Sequence, residues 1–147
     1  MIPSPLRHEV TKKTFFPKVI RPIPPATDNV GTQVVDAAYS VHSTLGPGLL
    51  ESVYEACLVH ALHKRGLEAE RQIALPVVYD GLQVEAGLRL DVVVQGCIVV
   101  ELKAVEKVLP VHRAQLLTYL KLSGHRLGFL INFNVPVIRE GISRMVL

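Results

Sequence analysis

The sequence predicts an α/β fold with a mixed central sheet flanked by helices. Helical patterns open the folded part of the chain, short β-branched runs separated by turn signals follow, and a further helical pattern precedes one last apolar strand. Strands joined by hairpins pair antiparallel, whereas a strand reached through a helical crossover can add in parallel, so the sheet should be mixed. With 147 residues and 49% hydrophobic content, the chain can bury one substantial core and is too short for two ordinary domains.

Residues 1–29 differ in composition from the rest of the chain. They contain six of the ten prolines and account for the whole formal net charge of +3, since basic and acidic residues cancel from Val30 onward. No sustained periodicity runs through them, so we expect a flexible, basic arm over residues 1–29 and one folded domain over residues 30–147. The arm either contacts phosphates or serves only as a solubilising extension, and composition alone favours the second role.

Composition also bounds the class of protein. No apolar run approaches the ~20 residues of a membrane span, and the N-terminus lacks the apolar stretch of a signal peptide, so a soluble cytoplasmic protein is expected. Cys57 and Cys97 fall within a predicted helix and a predicted strand, without the spacing of metal ligands. We therefore expect two reduced core residues and neither a disulfide nor a zinc site.

Two helices begin the domain. An apolar repeat at i, i+4, i+7 and i+11 that starts at Val34 predicts an amphipathic helix from about Thr32, which Gly46-Pro47-Gly48 ends. A second helix should run from about Leu49 to Arg65, because basic residues fill its last turn and Gly66 follows.

Strands and a third helix complete the domain. Strands are expected near residues 69–75, 77–79, 82–84 and 127–132, and in two runs within 90–103. Pro110 should open a third helix that runs to about Ser123 and is closed by Gly124. The strand at 127–132 is apolar nearly throughout, so it should be buried on both faces. A short final strand or helix is expected around Ile138 to Met145.

The two runs within residues 90–103 carry three charges. Val and Ile dominate both runs, and Gln95-Gly96 is the only turn signal between them, which predicts a hairpin. The alternation of side chains puts Glu101 and Lys103 on one face of its second strand. Asp91 shares that face if the loop has three residues, with Gly96 at a positive φ, and faces the opposite way if the loop has two. We expect the three-residue loop.

Charged groups within an apolar hairpin are costly unless they are paired or bind a cation. One explanation is an ion pair on a solvated face. The other is a metal site, since two carboxylates from adjacent strands suit a hard divalent cation such as Mg²⁺, and a neighbouring lysine can hold the attacking water. Glu51, in the first turn of the second helix, either complements the helix dipole or swings over the sheet to complete the carboxylate cluster.

Short motifs along the chain carry a family resemblance. Gly48-Leu49-Leu50-Glu51-Ser52-Val53-Tyr54 matches the signature of the GxxExxY protein family, and Asp91, Glu101-x-Lys103 and Gln115-x-x-x-Tyr119 resemble the ordered motifs of the PD-(D/E)XK nuclease superfamily. Residues 41–48 and 128–133 are similar to the family as well. The resemblance covers about Val30 to Leu147, with its motifs in order on independently predicted elements. One departure is that Leu90, not proline, precedes Asp91, which leaves the charged chemistry intact.

The resemblance implies a PD-(D/E)XK nuclease-like core and a role for each motif residue. Asp91 and Glu101 would bind Mg²⁺ or Mn²⁺, with Glu51 in support from its helix. Lys103 would position the water, while Gln115 and Tyr119 would orient the site or contact the nucleic-acid backbone. The three carboxylates should then converge within reach of one cation, with Lys103 beside them. His112 shares a helix side with Gln115 and Tyr119, but a single histidine there most often makes routine contacts.

The function implied is a metal-dependent nuclease that hydrolyses phosphodiester bonds, with nucleic acid as its partner and DNA favoured over RNA. No membrane partner is expected, and a homodimer is compatible with the sequence. Two alternatives stay open, a nucleic-acid-binding or protein-interaction module that keeps the fold without turnover, and a purely structural network of ion pairs. Intact acidic residues argue against the first, because carboxylates repel phosphates, and the second would leave Glu51 far from Asp91.

Overall fold

The computed structural model describes residues 21–147, which fold as an α/β domain. In chain order its elements are α1 (Pro25–Leu45), α2 (Glu51–Lys64), β1 (Ala69–Ala74), β2 (Val77–Tyr79), β3 (Leu82–Val84), β4 (Arg89–Val94), β5 (Ile98–Lys103), α3 (Pro110–Ser123), β6 (Leu127–Asn132), α4 (Ile138–Gly141) and β7 (Ile142–Val146). The predicted class, a mixed sheet flanked by helices, is confirmed. The final segment, expected as a strand or a helix, contains one of each.

Five strands form one mixed sheet in the order β1-β4-β5-β6-β7. The pairs β1–β4, β4–β5 and β6–β7 are antiparallel, while β5 and β6, which α3 connects, run parallel. β2 and β3 pair with each other in a separate hairpin. The parallel pair confirms the predicted helical crossover, because parallel strands need a long connection.

α1 begins at Pro25, earlier than the apolar repeat indicates. Proline suits the first turn of a helix because its φ is near the helical value and its missing N–H would have no partner there. Asp28 lies in that turn and pairs with Arg144 at 2.9 Å. Residues 25–29 are therefore helical, so the predicted start of the domain at residue 30 is too late. Of the predicted arm, residues 21–24 precede the helix without regular secondary structure, and residues 1–20 lie outside the described residues.

Helices cover both faces of the sheet. α1 and α2 pack on one face, the α2 face, where their buried side chains meet Val92, Val94 and Val100. α3 packs on the opposite face, the α3 face, through buried residues that include Leu116 and Leu120. The central strands β5 and β6 are consequently buried on both sides, as expected for β6 from its apolar sequence.

Tyr54 holds the loop that leads into α2. Its ring is fully buried and stacks on Phe133 with a centroid separation of 4.6 Å. Its hydroxyl donates to the Gly46 carbonyl at 2.6 Å and accepts the Leu49 N–H at 3.1 Å. The tyrosine thus fixes the glycine-rich loop and the N-terminus of α2, where Glu51 lies.

Two composition-based expectations concern residues within the described range. Cys57 and Cys97 are free and half-buried, and Cys97 lies in the loop between β4 and β5 rather than in the strand where it was expected. None of the helices within residues 21–147 has the length and apolar character needed to span a bilayer.

Candidate active site

The β4–β5 hairpin has the three-residue loop that the sequence predicts. Val94 pairs with Ile98 and Val92 with Val100, which leaves residues 95–97 as the loop. Gly96 has a φ of 61° and Gln95 a φ of 52°, and Cys97 donates its N–H to the Val94 carbonyl at 3.0 Å. The prediction of an odd loop is confirmed. Extending the same register places Asp91 opposite Glu101.

Asp91 and Glu101, here called the carboxylate pair, lie where β4 and β5 separate. The backbone pairing ends at Val92 and Val100. Beyond it, Asp91 donates its N–H to Glu101 Oε1 at 3.2 Å, and Leu102 donates its N–H to Asp91 Oδ2 at 2.9 Å. Each carboxylate therefore accepts a backbone N–H from the opposite strand, which holds both side chains across the gap.

β4 changes face at Asp91. Val92 packs on the α2 face, whereas Leu90, two residues earlier, packs on the α3 face. On β1, Gln72 lies opposite Asp91 between the pairs Arg71–Val92 and Ile73–Leu90, and its φ of 52° is unusual for a residue other than glycine. Strict alternation would keep Leu90 and Val92 on the same face, so the backbone is distorted here. Asp91 thus sits between the two faces, where β4 separates from β5 but still runs beside β1.

The electrostatics of the carboxylate pair follow from this position. Glu101 is only 5% exposed, and burial, followed by the charge of Asp91, raises its pKa to about 8. Burial also raises the pKa of Asp91, despite the N–H that it accepts from Leu102. The pKa of Glu51 is raised as well, first by burial and then by the charge of Asp91, while the charge of Lys103 lowers it. Ionising the whole group without a cation is therefore unfavourable.

The predicted convergence of three carboxylates on one cation is not observed. Among residues 21–147, no group of three or more His, Cys, Asp or Glu side chains lies close enough together to hold a metal ion. Glu51 is exposed at the first position of α2, and the charge of Asp91 raises its pKa without bringing the two into one metal-binding group. The donor set of Asp91 and Glu101 nevertheless fits a hard divalent cation, because Mg²⁺ usually takes one or two carboxylates and completes its shell with water and phosphate oxygens.

Glu55 is a buried carboxylate that sequence reasoning missed. It is 6% exposed and lies one helical turn after Glu51. Arg71 contacts its Oε2 through Nη2 at 2.8 Å and Nε at 3.2 Å, and Gln72 donates to its Oε1 at 2.6 Å. The i, i+4 spacing from Glu51 was a usable signal. Through Gln72, Glu55 supports the distorted backbone opposite Asp91, and its charge adds to the raised pKa of Asp91.

A groove runs along α3 beside Lys103. Its volume is about 530 Å³, and its lining comprises Lys103, Val111, His112, Ala114, Gln115, Thr118 and Tyr119. Gln115 donates its amide to the Tyr119 hydroxyl at 2.9 Å, so the phenol proton is left to point elsewhere. Tyr119 is close to the carboxylate pair, since burial and then the charge of Glu101 raise the pKa of this phenol. Lys103, Gln115 and Tyr119 thus line the same groove.

Asn132 fixes the segment that follows Lys103, and sequence reasoning gave it no role. It is 2% exposed and pairs with Lys103 in the β5–β6 register. Its amide accepts the Val105 N–H at 3.1 Å and donates to the Val105 carbonyl at 2.9 Å. Phe133 adds an N–H to the Lys103 carbonyl at 3.0 Å. Hydrogen bonds from Asn132 and Phe133 therefore fix the backbone at Lys103 and at Val105, where β5 ends.

One family model matches this chain. It describes the PD-(D/E)XK nuclease superfamily and covers residues 28–145, which is most of the chain. No curated protein and no solved structure matches the chain.

Proposed function

Because the chain belongs to the PD-(D/E)XK nuclease superfamily, we propose that it is a metal-dependent nuclease that hydrolyses phosphodiester bonds in DNA rather than RNA. The observation that supports this most is the carboxylate pair, in which Glu101 is buried and Asp91 half-buried and neither forms a salt bridge within the described residues. The ion pairs within residues 21–147 join Arg71 to Glu55 and Arg144 to Asp28, and neither involves Asp91 or Glu101. We also assign the chain to the GxxExxY family on its signature at residues 48–54.

A divalent cation explains why two adjacent carboxylates are kept in a buried place. Members of the superfamily generally use divalent metal ions. Asp91 and Glu101 offer hard oxygen ligands from two strands, and Glu51 adds negative charge from α2. We propose Mg²⁺ or Mn²⁺ at this pair. When bound, such an ion polarises the scissile phosphate and lowers the pKa of its water.

Lys103 and Tyr119 act on the same centre from the α3 face. Lys103 lies two residues after Glu101 on β5, so both side chains point to that face. From there its ammonium can hold the attacking water and stabilise negative charge that develops on the phosphate. Gln115 fixes the Tyr119 hydroxyl as an acceptor, which leaves the phenol proton to orient the carboxylate pair.

The two alternatives differ from this proposal in what the carboxylate pair does. A structural network of ion pairs requires a cation against Glu101, and the described ion pairs lie elsewhere. A binding module without turnover has no use for buried carboxylates that repel phosphates. Neither alternative is favoured by an observation of its own.

Cleavage assays test the proposal directly. Plasmid DNA, single-stranded DNA and RNA are incubated with the protein in Mg²⁺ or Mn²⁺, beside Lys103→Ala. We expect cleavage of DNA, and a loss on the order of 10²–10³-fold in the variant, as for removal of one charge-stabilising group. Lys121→Ala removes an exposed lysine of α3 outside the groove and should cleave normally. Absence of cleavage, or equal rates for Lys103→Ala and Lys121→Ala, would contradict the proposal, and cleavage of RNA alone would contradict the choice of DNA.

A further inference from the structure

The groove along α3 has a lining that suits an anion. Of the residues that line it, Lys103 is a cation and His112, Gln115 and Thr118 carry hydrogen-bond donors. No carboxylate is among them, in contrast to the carboxylate pair at its end. Val111, which is 63% exposed, adds an apolar wall. A volume of about 530 Å³ lies within the range of small-ligand sites and accommodates a nucleotide.

His112 has one ring nitrogen committed to the fold. Its Nδ1 accepts the N–H of Leu109 at 3.0 Å. Because a backbone N–H can only donate, Nδ1 carries no proton, so the neutral ring carries its proton on Nε2. Leu109 immediately precedes the first residue of α3, and the bond therefore holds the start of the helix. Nε2, on the opposite edge of the ring, remains a donor for the occupant of the groove.

We propose that the α3 groove is a subsite for the nucleotide next to the scissile phosphate, and that His112 Nε2 donates a hydrogen bond to that nucleotide's phosphate. This inference rests on the proposed nuclease function, which places the scissile phosphate at Lys103. The strand leaves Lys103 along α3 because the lining there attracts phosphate, whereas the exposed Glu51 on α2 repels it. His112 is therefore a substrate-binding residue as well as the cap of α3.

Two amide substitutions separate these two roles of His112. In His112→Asn the side-chain oxygen lies near the position of Nδ1, so it can still accept the Leu109 N–H but cannot reach the position of Nε2. In His112→Gln the amide N–H reaches the position of Nε2, and the amide oxygen can still reach back to the Leu109 N–H, as glutamine does at this position of a capping box. The melting temperature reports the cap, and KM for a single-stranded DNA oligonucleotide reports the contact with substrate.

We expect His112→Asn to keep the wild-type melting temperature and kcat but to raise KM about tenfold, as for loss of one hydrogen bond to a charged group. His112→Gln should keep the melting temperature within about 2 °C and KM within about twofold, since glutamine supplies both the capping acceptor and a donor toward the groove. Arg113→Gln is the matched control, because Arg113 is exposed on the same turn and does not line the groove. Arg113→Gln should change KM by less than His112→Asn does and should not lower the melting temperature.

The order of the two KM values decides the outcome. A KM for His112→Asn that equals or falls below that of His112→Gln overturns the proposal and leaves His112 as a helix cap only. The dissociation constant of the same oligonucleotide, measured without divalent metal, should follow the same order. If the dissociation constants of the two variants follow this order but the wild type does not cleave DNA, the nuclease function fails and the subsite stands. If it cleaves while the order is reversed, only the subsite fails.

Discussion

Glu55 and Glu101 are equally buried, at 6% and 5% exposure, yet they have opposite surroundings. Glu55 on α2 is matched by the guanidinium of Arg71 and the amide of Gln72. Glu101 on β5 has the Asp91 N–H and a second carboxylate beside it, and its pKa is raised to about 8. Burial alone therefore does not mark a functional acid in this protein.

The two glutamates differ in whether the fold compensates the free energy lost when a carboxylate is removed from water. Removing a carboxylate from water costs several kcal/mol, on the order-of-magnitude scale for real proteins, unless partners replace the water. At Glu55 the partners are built into β1. At Glu101 the partners are one backbone N–H and a second carboxylate, and a hard cation from outside the chain would supply the positive charge that Arg71 supplies at Glu55. We expect the same chemical change, glutamate to glutamine, to have different consequences at the two positions.

The largest expected difference is in catalysis. Glu101→Gln should reduce cleavage on the order of 10³-fold, because a neutral amide is a poor ligand for a hard cation. Glu55→Gln should reduce it by less than about tenfold, since Glu55 contacts Arg71 and Gln72 rather than the reacting groups. Single-turnover rates on DNA measure both. Equal losses in the two variants would remove the distinction between the two acids.

The same pair of variants should change stability in opposite directions. In metal-free buffer at pH 8, Glu55→Gln should lose about 2 kcal/mol of the free energy of unfolding, because an amide donor then faces the donors of Arg71 and Gln72. Glu101→Gln should gain on the order of 1 kcal/mol, because it can accept from Asp91 and also donate to its carboxylate. Denaturant unfolding of both variants measures these changes. A loss of stability at Glu101 would mean that its charge is satisfied in the native state.

The pH dependence of stability sharpens the contrast. The native state keeps a proton on Glu101 up to a pKa of about 8, whereas the unfolded chain releases it near 4.5, the ordinary pKa of a glutamate. The native state thus binds more protons between these values, so stability of the metal-free protein falls as pH rises from about 4.5 to about 8. Glu101→Gln should make this decrease in stability with pH smaller, while Glu55→Gln should leave the decrease unchanged. Unfolding free energies across that interval provide the test, and an unchanged slope in Glu101→Gln would contradict the raised pKa.

A smaller effect is expected from Tyr119→Phe. This change removes the phenol proton near Glu101 and leaves the ring packed between α3 and the sheet. We expect kcat to fall about three- to tenfold, with a shift in melting temperature of less than about 2 °C, as for loss of one hydrogen bond. An unchanged kcat would show that the phenol does not orient the carboxylate pair.

The smallest effect is expected far from both glutamates. Deleting residues 1–20 should leave the melting temperature within about 1 °C, because their composition gives them little to bury. Extending the deletion through residue 29 should lower it, since Arg126 donates to the carbonyls of Arg21 and Pro22 and Asp28 pairs with Arg144. A large change from the shorter deletion would show that the first 20 residues pack on the domain.

The predictable part of the site depended on local periodicity. Alternation along β5 and the length of the loop at Gln95-Gly96 were enough to place Asp91 opposite Glu101. The partners of Glu55 come from a different element, β1, and no repeat in the sequence connects α2 with Arg71. The change of face at Asp91 was equally hidden, because it depends on a positive φ at Gln72, where sequence favours no such value.

Two further differences between prediction and structure have simple causes. The prolines near residue 25 were interpreted as part of an arm, although proline is also favoured at the first turn of a helix. Three carboxylates were expected to converge, but Glu51 remains exposed because it lies at the very start of α2. Helix position predicted its nearness to Asp91 and not the direction of its side chain.

The central claim is that the carboxylate pair is kept for a divalent cation, and thermal unfolding with added metal tests it most directly. Mg²⁺ or Mn²⁺ should raise the melting temperature of the wild type and of Glu55→Gln, with a gain of about 2.7 kcal/mol at a hundredfold excess over the dissociation constant. Asp91→Asn and Glu101→Gln should lose this response. A wild type that does not respond to either metal, or four proteins that respond equally, would contradict the account.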